Sequence, residues 1–273
     1  FGYHTDTLVT PNHRMSISRE ERRSRKKYDW GLVESALLPD TFNCLRYPTP
    51  KKNTYCNREF FQNIPIAPEP YLRLMGWYLS DGSLHIKNNS PKKVVISQKK
   101  NGKLYGSMKK FKNKHPKISH MYEYIRKPND YCPYSIIETT LVINKKSGIP
   151  DRLYKDCGNK KNKRIPRWVF SLSSRLMNIL LDALIRGDGT TGRPDNSIIY
   201  YSSLKGLADD VQELALLAGH ETSLYGPYEH NDKDSKSLMY QVHINKTREQ
   251  LKLFVRHNNV SKTSVIDQRI VCF

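Results

Sequence analysis

The sequence predicts an α+β fold made of two similar halves, and three observations carry that expectation. A nearly all-apolar helix ending in Asp-Gly occurs twice, at Asp81-Gly82 and at Asp188-Gly189, 107 residues apart. Each is followed by β-branched strand runs and a further helix in the same order. Each also carries small residues four apart, Gly76 and Ser80 in the first and Ala183 and Gly187 in the second. Positions four apart share one helix face, so these stripes let the two helices approach more closely than the usual 8–10 Å. Units of this length fit two halves about a pseudo-twofold axis better than a solenoid, whose repeats run to roughly 20–50 residues.

The elements follow in order. Thr7 to Thr10 is a strand-like run, Arg14 to Lys27 a very basic stretch without apolar period, and residues 40 to 68, rich in Pro, Asn and Thr, an irregular connection. Pro68 and Pro70 pre-set the first turn of a helix whose Leu72, Leu74, Met75, Trp77, Tyr78 and Leu79 are apolar. Gly82, just past its end, is expected to close it in the left-handed conformation. Lys93 to Ser97 reads as a strand, Lys103 to Lys114 as a basic helix and Tyr134 to Asn144 as a second strand region. A Lys- and Asn-rich linker, Cys157 to Lys163, leads to Ile165-Pro166, and the pattern restarts. Ser173 is the expected N-cap of an apolar helix over Leu176 to Ile185. Ser197 to Ser202 is a strand, Lys205 to Ala218 an amphipathic helix and Tyr240 to Asn245 a strand. With the Asp-Gly ends aligned, Gln98 falls opposite Ser202, and Val142-Ile143-Asn144-Lys145 opposite His243-Ile244-Asn245-Lys246.

Composition narrows the function. The 273 residues hold 46 Lys and Arg against 26 Asp and Glu, a formal net charge of +20, which points to a polyanionic partner. At 37% hydrophobic and 10% aromatic the chain is too apolar for disorder. No run approaches the roughly 18 apolar residues of a membrane span, and no signal-peptide order opens the sequence, so neither membrane nor secretion is expected. The five cysteines, Cys44, Cys56, Cys132, Cys157 and Cys272, form no C-x-x-C pair, which fits free thiols and an intracellular setting. Cys44, Cys56 and Cys132 read as packing residues.

Packing of the motif helices on each other makes Asp81 and Asp188 neighbours at the same end of the pair. Two carboxylates at the negative ends of two helix dipoles repel, and a hard divalent cation between them relieves this. Mg²⁺ prefers a few carboxylates, several waters and substrate phosphate oxygens. Paired carboxylates, a divalent ion and a basic protein together describe metal-assisted phosphodiester hydrolysis. One apolar helix ending in Asp-Gly is an ordinary turn; two, each opening a matched set of elements, are not.

The two nonapeptides, Leu74-Met75-Gly76-Trp77-Tyr78-Leu79-Ser80-Asp81-Gly82 and Leu181-Asp182-Ala183-Leu184-Ile185-Arg186-Gly187-Asp188-Gly189, resemble the paired motifs of single-chain LAGLIDADG homing endonucleases. VVISQK after the first, Lys163-Arg164-Ile165-Pro166 before the second and YYSSLKGLADDVQELALLAGH after it agree, over about residues 66 to 256. The resemblance implies two αββαββα halves with curved antiparallel sheets around a two-helix interface, the sheets facing the DNA major groove. It implies Asp81 and Asp188 as metal ligands, with Mg²⁺ or Mn²⁺ supporting cleavage and Ca²⁺ binding without it. Gln98 matches a polar residue near the metal, and Lys99, Lys145 and Lys246 are the best matches to assisting lysines. Lys92, Lys93, Lys100, Arg193, Tyr200, Ser202 and His243 are the expected DNA contacts. The second Gln position departs from the pattern, being Ser202. The implied partner is double-stranded DNA, bound by a monomer with no small-molecule substrate.

The flanks carry weaker signals. Thr10-Pro11-Asn12-His13 resembles the T-x-x-H block of inteins, and Val265 to Phe273 the start of a late Hint-domain strand. Thr10 and His13 are thus a splicing remnant or a polar turn. No Cys or Ser opens the sequence and no His-Asn ends it, so the expectation is a truncated, mainly-β Hint-like module. The expected division is 1–65 flank and linker, 66–160 first half, 161–257 second half and 258–273 terminal strand. The basic runs Lys99 to Lys117 and Lys155 to Trp168, interleaved with Tyr105, Phe111 and Trp168, read as phosphate-contacting surfaces. The competing readings are an RNA-binding maturase on the same fold and a splicing element with a decayed nuclease.

Overall fold

The computed structural model describes residues 14–18, 30–34, 43–44, 58–88, 90–100, 102–128, 134–191, 198–232 and 235–245. Thr10, His13, Arg193, Ser197 and everything from Lys246 onward lie outside them, as do the Thr7–Thr10 run and the Val265–Phe273 strand expected from the sequence.

Three strands precede the first motif helix: β1 (Arg14–Ser18), β2 (Trp30–Glu34) and β3 (Asn43–Cys44), paired antiparallel in the order β2-β1-β3. The basic stretch therefore begins as a strand, and the connection from 40 to 68 holds β3 and a 3-10 turn over Arg58–Phe61. Met15 and Ile17 do alternate with polar neighbours there, over too few residues to stand out from the surrounding charge.

The first half runs α1 (Pro68–Asp81), β4 (Gly82–Lys87), β5 (Ser90–Lys99), α2 (Tyr105–Lys114), β6 (Ser119–Arg126), β7 (Ile136–Asn144) and α3 (Ile149–Cys157). The second runs α4 (Ser174–Asp188), β8 (Gly189–Thr190), β9 (Ile198–Ser202), α5 (Lys205–Leu217), β10 (Glu221–Asp232) and β11 (Ser235–Asn245). Each half has one four-stranded antiparallel sheet, in the orders β4-β5-β7-β6 and β10-β11-β9-β8. Counted from each motif helix the order is the same: first, second, fourth, third. The registers match as well. Gly82 pairs with Ile96 and Ile96 with Leu141, while Gly189 pairs with Tyr200 and Tyr200 with Val242. Ile96 and Tyr200 are therefore equivalent, and so, two residues on, are Gln98 and Ser202.

The mixed α+β class and the αββαββα order of the first half are as expected; the second half follows through its second pair of strands. Within the two halves five elements escaped the sequence reading, β4, β6, β8, β10 and α3, as did β1, β2 and β3 ahead of them. β6 is an edge strand with Tyr122 and Tyr124 exposed, so it lacks the apolar density of an inner strand. In α3 the buried side chains are chiefly Ile149, Leu153 and Cys157, four apart, in a helix too short for that period to show. Gly148 ahead of it has φ 70, a left-handed conformation that favours glycine.

The core is continuous across both halves and centres on α1 and α4. Leu72, Leu74, Met75 and Tyr78 are all fully buried, so α1 is enclosed on nearly every side between α4 and its own sheet. In α5, Leu207, Val211 and Leu214 bury one face. The buried Asp210 on that helix accepts from Arg164 Nε at 2.7 Å, Arg164 Nη2 at 2.8 Å and the Ile165 backbone N–H at 2.8 Å. That fork anchors the segment leading into α4. Ser173 stands at the N-cap of α4, yet its side chain makes no capping bond; its carbonyl accepts from Met177 N–H.

Candidate active site at the paired helix ends

The small stripes of the two motif helices face each other. A Cβ built on Gly76 would stand 2.5 Å from Ala183 Cβ, and one on Gly187 would stand 2.3 Å from Ser80 Cβ, both inside any real contact. Like positions of the two nonapeptides therefore meet, and the helices lie side by side with the same ends together. Ser80 Oγ donates to Gly76 O at 2.9 Å and lies 3.4 Å from Leu184 O across the interface.

Gly82 and Gly189 do not close their helices in the left-handed conformation. Both are extended, at φ −83 and φ −108, and already begin a strand. Glycine is required there by a close approach: a Cβ would fall 2.4 Å from Tyr78 Cα in the first case and 2.5 Å from Ile185 O in the second. Each strand folds back directly under its helix end, which leaves the preceding aspartate projecting at the tip.

Asp81 and Asp188 are thereby neighbours; the Cβ imagined on Gly187 would lie 3.3 Å from Asp81 Oδ2. Asp188 is half-buried, and burial followed by the charge of Asp81 lifts its pKa to about 6, against the pull of Lys163. Asp81 is exposed by surface area, but the protein packed around its carboxyl still raises its pKa, opposed by Lys163 and by a hydrogen bond. That bond comes from Gln98 Nε2 to Asp81 Oδ2 at 2.5 Å.

Two lysines hold the helix ends. Lys163 is buried at 6% exposure, and its Nζ donates to Tyr78 O at 2.7 Å, Gly82 O at 2.8 Å and Ser80 O at 3.2 Å. It adds to the bond that Tyr78 O already accepts from Gly82 N–H, ties the end of α1 to the start of β4, and places a cation at the negative end of the dipole. Burial lowers its pKa to about 8, while Asp188 and Asp81 resist that shift. Lys103 Nζ donates to Gly189 O at 2.8 Å, at the end of α4. Neither lysine stood out in the sequence as a site residue. The available signal for Lys163 was its place immediately before Arg164-Ile165-Pro166, whose Ile165 and Pro166 are buried.

The expected site residues divide. Gln98 joins Asp81. Lys99 is exposed and, one residue on, points to the other face of β5. Lys145 does not reach the aspartates: its Nζ donates to Ser90 Oγ at 2.6 Å, and Ser90 begins β5 while Gln98 lies near its end, about 26 Å away at roughly 3.3 Å per residue. Antiparallel pairing sets the end of β7 beside the start of β5, which excludes the expected role. Asn245, the counterpart of Asn144, ends β11 beside the start of β9, and Lys246, the counterpart of Lys145, lies outside the described residues.

Two expected DNA contacts are also corrected. Tyr200 is fully buried on the helix-facing side of its sheet, like its equivalent Ile96. Ser202 is buried too, its Oγ bonded to Leu204 N and O at 3.1 Å each, where it shapes the entry to α5. Lys92 is the extra residue of a β-bulge, passed over between the pairs His85–Lys93 and Ile86–Pro91. Lys100 is exposed and paired with Glu123 Oε2 at 2.8 Å. Lys93 lies on the face turned away from the helices, with His85, Tyr122, Tyr124 and, by alternation, Lys99. His243 lies on the corresponding face of the second sheet, with Tyr225 against its ring at 4.7 Å between centroids.

Among the described residues no three His, Cys, Asp or Glu side chains gather into one metal cage; Asp81 and Asp188 are the two carboxylates that could hold a cation here. Two carboxylates, one of them pushed up to about 6 by burial and then by the charge of the other, would suit a hard divalent ion that completes its shell with water and phosphate oxygens.

Among curated proteins the chain is 26% identical over 248 residues to the ATP-dependent Clp protease proteolytic subunit of Chlamydomonas moewusii, covering 80% of this chain and 22% of that protein. It thus spans about a fifth of that relative's length. Among solved structures it is similar to the homing endonuclease I-WcaI bound to its DNA recognition sequence, at TM-score 0.46 and 13% identity over 76% of this chain and 90% of the other. Residues 175–258, which hold nearly all of α4 and every later element of the second half, match the family described as the LAGLIDADG-like domain.

Proposed function

We propose that the chain is a site-specific double-strand DNA endonuclease of the LAGLIDADG homing type, which hydrolyses phosphodiesters with a divalent cation between Asp81 and Asp188. The observation that carries this reading is the meeting of two aspartates at one end of a glycine-close helix pair, with Asp188 pushed up to about 6 by burial and by its partner. Asp81 and Asp188 hold the cation, Mg²⁺ or Mn²⁺ in the active protein, with Ca²⁺ binding but not supporting cleavage. When bound, it supplies Lewis-acid stabilisation of the charge that develops on the phosphate. Gln98 orients Asp81. Lys163 keeps the end of α1 and both carboxylates in register and offers a cation next to the developing charge.

The net charge of +20 supports a duplex partner, and the sheet faces turned from the helices carry the groups that read it. By register Tyr122 and Tyr124 answer to Tyr225 and Tyr228, whereas Ser97, His120 and Val142 on that face answer to Tyr201, Ser223 and His243. Unlike halves in one chain read a long, non-palindromic site as a monomer. The halves are taken as 66–160 and 161–257, with Hint-like flanks at 1–65 and 258–273. The coverage of only 22% of a much longer relative supports an endonuclease element carried within a host protein.

The test is cleavage of a randomised duplex library with Mg²⁺ and, in parallel, with EDTA. The reading expects a long, non-palindromic site cut on both strands with Mg²⁺ and left intact with EDTA. Tight binding of RNA without any duplex cleavage would replace it with the maturase reading.

A further inference from the structure

The two carboxylates are not held alike. Asp81 receives Gln98 Nε2, but the equivalent Ser202 has turned its hydroxyl into the backbone of Leu204. Among the described residues no side-chain hydrogen bond reaches Asp188. Beside it, across the β8–β9 pair, Tyr200 faces Gly189, the residue that follows Asp188. Tyr200 is fully buried and, among the described residues, its hydroxyl has no hydrogen-bond partner. A buried hydroxyl without a partner is unfavourable, and its presence calls for a reason. The fold itself needs no hydroxyl at this position, since Ile96 stands there, equally buried, in the first half. The charges that act on the phenol are those of Asp188 first and Asp81 second.

We propose that Tyr200 is the positioning residue of the second carboxylate: its hydroxyl donates to Asp188, directly or through one water, once a divalent cation lies between the aspartates. It takes the part at Asp188 that Gln98 takes at Asp81. This rests on the endonuclease reading and adds to it that the two half-sites use different donors, an amide in one and a phenol in the other. The strand hydrolysed next to Asp188 then depends on Tyr200 and the other strand on Gln98.

The test uses the full chain with Tyr200→Phe, which removes only the hydroxyl. In EDTA its melting temperature should equal or exceed that of the wild type, since the hydroxyl has no partner to lose. Mn²⁺ titrated into the DNA-free protein in a calorimeter should bind about tenfold more weakly. On a supercoiled plasmid carrying the site, nicked circles should accumulate, one strand being cut at least tenfold more slowly. Gln98→Ala should accumulate nicks in the opposite strand. A Tyr200→Phe protein that binds Mn²⁺ like the wild type and linearises plasmid without a nicked intermediate would overturn the inference alone. A lower melting temperature in EDTA would overturn it too, because the hydroxyl would already have a structural bond. A wild type that neither binds Mn²⁺ nor cuts would remove the endonuclease reading and this inference with it.

Discussion

The two halves share their packing and differ in their chemistry. At the helix interface Gly76 meets Ala183 and Ser80 meets Gly187, position for position, and both strands fold back at a glycine that nothing larger replaces. A few residues along each strand the likeness ends: Ile96 against Tyr200, Gln98 against Ser202, and a buried lysine on three carbonyls at one helix end against a single lysine bond at the other. Backbone contacts at van der Waals limit accept one solution, so symmetry persists there. Polar groups around a carboxylate have several solutions, and each half has its own.

The largest effect that would break the shared part is on catalysis. Asp81→Asn and Asp188→Asn should each reduce cleavage about a thousandfold, the loss of several kcal/mol of transition-state stabilisation, with duplex affinity largely unchanged. A rate that survives either change would show that the pair does not act together. Next comes the interface itself. Gly187→Ala must displace Ser80, and Gly76→Ala must displace Ala183, each at about 3 kcal/mol measured by denaturant melts. Gly106→Ala is the contrasting control: its Cβ would meet nothing within 4 Å, and on α2 it should stabilise by about 0.5–1 kcal/mol.

The pH dependence sharpens the difference. Asp188 has a native pKa of about 6 against an ordinary 3.8, so the folded protein keeps this proton to higher pH than the unfolded chain does. Its contribution is most favourable below about pH 4 and is lost as pH rises through 6. In EDTA at pH 7.5, Asp188→Asn should therefore be more stable than the wild type by about 2–3 kcal/mol, and the advantage should vanish near pH 4. The smallest contrast separates Gln98 from Ser202. Ser202→Ala should cost about 1 kcal/mol of stability through its lost bonds at Leu204 and leave cleavage intact. Gln98→Ala should do the reverse, slowing cleavage about tenfold on one strand with the melting curve unmoved.

Local patterns were legible from the residues alone. The apolar motif helices, their small stripes and the pairing of Asp81 with Asp188 follow from composition and spacing within single helices, and the structure bears them out. What was illegible depends on strands far apart in sequence. Family resemblance points to Lys145 as an assisting lysine, yet antiparallel register carries it to the far end of β5. Lys163 and Lys103 sit in basic runs where neighbouring lysines look alike, and only the fold aims those two at backbone carbonyls. Tyr200 and Ser202 read as strand residues on a DNA face because a strand's two faces cannot be told apart when both carry aromatic and β-branched side chains. Edge and hairpin strands β4, β6 and β10 lack dense apolar runs for the same physical reason that they lie at the sheet margins.

The most direct test of the central claim is the anomalous scattering of Mn²⁺ in crystals of the protein bound to its selected duplex. A peak is expected between the carboxylates of Asp81 and Asp188, lost in the doubly substituted Asp81→Asn, Asp188→Asn protein. Cleavage-competent crystals with Mn²⁺ elsewhere and none in reach of these two side chains would contradict it.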